Sequence, residues 1–68
     1  MNGHKIVDGN CYSFMAISNP FYHEIRIEKN NKLIGIFNGH SIFHAIQKTD
    51  SIPISFKKYI IETIQKYS

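Results

Sequence analysis

The sequence predicts an α+β domain: a small antiparallel sheet of three to four strands, built as two hairpins, followed by two C-terminal helices packed on one face. Three observations predict it. His23-Glu24-Ile25-Arg26-Ile27-Glu28 alternates polar and apolar, the period of a half-buried strand. Turn signals stand at Asp8-Gly9 and at Asn30-Asn31, each between segments rich in apolar residues. Phe56, Ile60, Ile64 and Tyr67 recur at helical spacing near the C-terminus.

The first hairpin joins Lys5-Ile6-Val7 to Cys11–Ile17 across Asp8-Gly9. The second segment fits a strand, with Cys11, Ser13, Met15 and Ile17 on one face, and a short helix also accommodates its apolar residues. Strand is the reading taken, because an isolated two-stranded hairpin needs a further strand or helix beside it. In the second hairpin Asn30 and Asn31 tolerate the positive φ of a tight turn. A two-residue loop there sets Ile27 opposite Ile34 and Ile25 opposite Ile36, with all four isoleucines on one face. The other face then carries Glu24, Arg26 and Glu28 opposite Phe37, Gly35 and Leu33.

Ser41 to Thr49 reads as a helix with Ser41 as its cap. Asp50-Ser51-Ile52-Pro53 breaks it, and a last helix starts at Pro53 or Ile54 and runs to the end. The predicted core is Ile25, Ile27, Ile34, Ile36, Ile42, Phe43, Ile46, Phe56, Ile60 and Ile64.

Sixty-eight residues make one domain, 1–68, with a small core. The single cysteine, Cys11, excludes an intrachain disulfide, so a reducing compartment is expected: the cytoplasm, or the host-cell cytoplasm for a phage-encoded chain. No secretory leader is expected from two apolar residues after Lys5, and no run approaches the roughly 20 apolar residues of a membrane span. The net charge of +3 favours acidic partners without naming one.

Asp8-Gly9-Asn10-Cys11 resembles the nucleophile segment of ovarian-tumour-type cysteine proteases, where such a run opens a helix. That resemblance implies Cys11 as nucleophile with His40 or His44 as base. It covers four residues, and the alternative is a hairpin turn before a buried Cys. Ser41-Ile42-Phe43-His44-Ala45-Ile46-Gln47 is similar to a helix of NADAR-type ADP-ribose glycosidases, but Phe43 replaces the acidic residue, and no activity is carried over. His40 and His44 have the spacing of metal ligands on a helix, which His23 or Cys11 would complete. The Glu of zinc-peptidase helices is missing from this segment. Carboxylates are scattered, and the glycines have the spacing of turns rather than of a phosphate loop. No catalytic residue, metal or cofactor is assigned.

The function expected is that of a non-enzymatic binding module docking on a larger protein or nucleoprotein, with homodimerisation as the simplest way to enlarge the core. Tiny basic domains of AT-rich composition are common among phage and mobile-element accessory proteins, inhibitors of host defence included. The partner-binding residues expected are Arg26, Lys29, Lys32, Phe37, Lys57, Lys58 and Lys66. Two alternatives stand beside this one. A nucleic-acid-binding domain would use Lys57, Lys58 and Lys66 on the last helix, with tyrosines to stack bases. A Cys–His hydrolase or metal protein would use Cys11, His40 and His44. No membrane partner is expected.

Overall fold

A computed structural model describes residues 1–67 of the chain; Ser68, the end of the predicted last helix, lies outside the described residues. Four strands come first: β1 (Asn2–Val7), β2 (Asn10–Asn19), β3 (Tyr22–Lys29) and β4 (Lys32–Asn38). Two helices follow, α1 (Ile42–Lys48) and α2 (Ile54–Tyr67). The sheet is an antiparallel meander in the order β1-β2-β3-β4, as the α+β prediction requires. The segment Cys11–Ile17 is strand, not helix.

Both predicted turns form for the expected reason. Asp8 and Gly9 have φ of 50° and 80°, and Asn30 and Asn31 have φ of 51° and 67°. Positive φ at both central residues matches the right-handed twist of the flanking strands. Asn30 also ties the two turns together. Its Oδ1 accepts from the backbone N–H of Cys11 at 2.9 Å, and its Nδ2 donates to Asn10 Oδ1 at 3.0 Å.

The register of the second hairpin departs from the prediction. Lys29 pairs with Lys32 and Glu28 with Leu33, as a two-residue loop dictates, but the pairing then slips at Ile34. This β-bulge sets Ile27 opposite Gly35, Arg26 opposite Ile36 and Ile25 opposite Phe37. Ile36 therefore points away from the helices and is 47% exposed, whereas Phe37, expected on the exposed face, packs against the core. Gly35 makes the exchange possible. A Cβ there would stand 2.8 Å from Phe37 Cε2, so any other residue would have to displace the ring.

The core lies between the inner face of the sheet and the helices. It comprises Tyr12, Phe14, Ile25, Ile27, Ile46, Ile52, Phe56 and Ile60. Tyr12, Phe14 and Ile52 were not in the predicted core; Ile34, Ile42, Phe43 and Ile64 lie half-buried at its edge. Phe56 is fully buried, with ring centroids of Tyr12, Phe14 and Tyr59 within 5.4, 6.3 and 5.8 Å. Tyr67 leaves the predicted α2 stripe and is exposed. Ser41 precedes α1 but makes no side-chain capping bond. The carbonyl of Pro53 accepts from the N–H groups of Phe56 and Lys57 and so starts α2.

The bulge is testable by truncating two isoleucines of the same hairpin. Ile27→Ala should cost about 2–5 kcal/mol, because the residue is wholly buried. Ile36→Ala should cost less than about 1 kcal/mol. Chemical denaturation at micromolar protein measures both, and equal losses would restore the unbulged register.

Candidate docking interface

Strand alternation sends every second side chain to the face opposite the helices. Cross-strand register arranges these residues in rows. One row is Asn2, Met15, Arg26, Ile36, and the next is His4, Ser13, Glu28, Leu33. Beyond them, Ile17 pairs with Glu24, and Ile6 with Cys11. Among the described residues both helices pack on the inner face, and this outer one is uncovered. Met15, Ile17, Leu33 and Ile36 are each 42–50% exposed, and Ile6 is 63% exposed. Between the first two rows runs an open groove of about 400 Å³ lined by Met15, Ser13, Arg26 and Glu28.

At its centre is a polar line along β3. Glu24 is 6% exposed and holds both of its neighbours on this face. The Tyr22 hydroxyl donates to Oε1, and Arg26 Nε donates to Oε2 at 2.7 Å. The Arg26 side chain remains 52% exposed. Its bond to Glu24 uses the Nε–H and leaves the Nη donors for another acceptor. A guanidinium fixed by its own carboxylate and set among exposed apolar side chains loses little entropy on binding.

The seven predicted binding residues do not form one surface. Arg26 belongs to the uncovered face, and Phe37 lies half-buried against the core on the other face. Lys29 and Lys32 are direct cross-strand neighbours on the helix side, where Lys29 Nζ stands 5.9 Å from the Tyr12 ring centroid. On α2, Lys57 Nζ donates to the Gln47 carbonyl at 2.9 Å, and Lys58 stands 3.9 Å from Glu62. Lys66 lies over Tyr67 at 5.3 Å. Sequence reasoning missed Met15, Ile17 and Ile36 as surface residues, and Tyr22 as the partner of Glu24. Glu24 itself was legible as a polar position on an alternating strand.

The Cys–His alternative finds no assembled group. Cys11 follows the β1–β2 turn, whereas His40 follows the far end of β4, where Asn38 pairs with Glu24 and Glu24 with Ile17. Six residues of strand, about 20 Å, separate Cys11 from Ile17. Among the described residues no three His, Cys, Asp or Glu side chains converge on a metal position. Among the described residues no helix is long and apolar enough to cross a membrane. No protein-family model, curated protein or solved structure matches this chain.

Hydrogen bonding sets the charge states of the polar line. The Tyr22 hydroxyl first, then Arg26, holds the Glu24 carboxyl below its ordinary value of 4.5, against the opposing effect of burial. The same bond, with burial and the negative Glu24, raises the Tyr22 phenol above 10.0. A lowered carboxyl stabilises the fold above its unfolded value, and that stability is lost as pH falls through the folded value. Urea unfolding of the wild type should therefore weaken progressively below pH 4.5, and Glu24→Gln should lack that part of the loss. An identical acid profile in the variant would show that Glu24 is not held in this way.

Proposed function

We propose that this chain is a non-enzymatic binding module that docks on another folded protein through the uncovered face of its sheet. One observation carries the reading: exposed Met15, Ile17, Leu33 and Ile36 surround an arginine already braced by Glu24 and Tyr22. Interface centres are enriched in Tyr, Arg and Met, and their strongest contacts come from anchors that are rigid before binding. An inhibitor or modulator of a larger protein or nucleoprotein would use such a face without chemistry of its own.

The test is positional photo-crosslinking in the cell that makes the chain. Ile36→p-benzoylphenylalanine should give discrete protein adducts, and the same replacement at Lys58, on the other side of the molecule, should give none of them. Adducts from position 58 alone would move the docking surface to α2.

A second reading has its own observation. Lys29 and Lys32 oppose each other directly, and neither has an acidic partner among the described residues. Lys5 and Lys29 flank Tyr12 in the same cross-strand row. Like charges opposed across a sheet destabilise it, and a bound phosphate would relieve that repulsion. Nucleic-acid binding through this row predicts affinity that falls steeply with salt and drops further in Lys29→Glu and Lys32→Glu. Fluorescence titration with labelled single- and double-stranded nucleic acid at low and near-physiological salt measures it. Binding lost instead on neutralising Lys57, Lys58 and Lys66 would return the reading to α2, and no binding at either salt would remove it.

A further inference from the structure

We infer that the occupant of the uncovered face is a second copy of this chain, packed sheet against sheet about a two-fold axis that crosses the strands between Arg26 and Glu28. The inference rests on the reading of this face as a docking surface, and it names the partner.

Self-complementarity of the two central rows carries it. A two-fold axis lying between two stacked sheets and perpendicular to their strands reverses the order of rows but keeps each strand over its own copy. With the axis between the two rows, the row Asn2, Met15, Arg26, Ile36 faces His4, Ser13, Glu28, Leu33 of the second copy. Arg26 then meets Glu28, a half-exposed carboxylate with no ion pair of its own among the described residues. Ile36 meets Leu33, and Met15 lies over the small Ser13. One row further out, Cys11 faces Ile17. Every contact occurs twice, as an isologous interface requires. An axis along β3, or one through either row, would set Arg26 on Arg26 or Glu28 on Glu28, an arrangement that charge disfavours.

Charge distribution allows the approach. The face carries Arg26 against Glu24 and Glu28, a net charge of −1, while the whole chain carries +3. The excess positive charge therefore lies elsewhere, and two copies meet without placing their lysines together. Size sets the strength. Four strands at about 4.8 Å and seven residues at about 3.3 Å make a face on the order of 20 by 23 Å. That offers roughly 450–600 Å² per copy, below the ~800 Å² of a standard stable interface. The pair is accordingly weak and reversible.

Sedimentation equilibrium from low micromolar to millimolar protein tests this. The wild type should pass from monomer to dimer, and no larger species should form. Glu28→Arg, which sets a second guanidinium against Arg26 of the other copy, should weaken the dimer about tenfold or more. Ile36→Lys should do the same, and Lys58→Glu on α2 should not. Circular dichroism at low concentration checks that each variant keeps the wild-type fold, and two face variants guard against one failing to fold. A wild type that stays monomeric at millimolar concentration overturns the inference, as does a dimer indifferent to both face substitutions. In the first case protein adducts at position 36 would leave the docking reading standing with a different partner. In the second case the docking reading is still judged by those adducts alone.

Discussion

The structure depends on one contact: Phe56 of α2 set against Tyr12 and Phe14 of β2. A twisted four-stranded meander has an apolar face to hide, and one long helix must hide most of it. Phe56 and Ile60 reach the middle of the sheet and are wholly buried, while Tyr59 packs edge-on to Phe14 at 6.0 Å. Aromatic rings suit this task, because each buries a large area and adds a favourable edge or offset geometry. The fit constrains β1 as well. A Cβ on Gly3 would stand 2.5 Å from the Tyr59 hydroxyl, so the Tyr59 side chain occupies space over the first strand that a larger residue would take from it.

Much of this was legible in the sequence. Positive φ at the two turns follows from Asp8-Gly9 and Asn30-Asn31, and the alternation of His23–Glu28 marks Ile25 and Ile27 as buried but not Glu24. The helical stripe located Phe56 and Ile60. What escaped had a common cause. In β2 both faces carry apolar residues, so alternation alone does not say whether Tyr12 and Phe14 or Cys11 and Met15 turn inward. The decision belongs to the distant ring of Phe56. The bulge at Ile34 is also non-local: it exchanges Ile36 for Phe37 on the helix-covered face, and local pattern favours either.

The same exchange defines the candidate interface. Had Ile36 gone inward, the outer face would present Phe37 and Gly35 beside Arg26. Instead it presents Ile36 and Leu33 beside an arginine whose carboxylate partner is itself nearly buried. Glu24 stays charged there because two donors, the Tyr22 hydroxyl and Arg26 Nε, replace the water it has lost. The polar line thus costs the face little solvation when a second surface closes over it, since its strongest acceptor is already out of water.

The strand order carries a consequence for how the chain reaches this state. Every strand pairs only with its neighbours in sequence, through two-residue turns at Asp8-Gly9 and Asn30-Asn31 and a short turn between Asn19 and Tyr22. Such a sheet assembles by successive hairpins, each closing a small loop at low entropic cost. The contact of Tyr59 with Phe14 closes a much longer loop and comes from a helix that follows all four strands in the chain. During synthesis the strands therefore emerge before the helix that covers them, and both faces of the young sheet meet solvent until α2 is made.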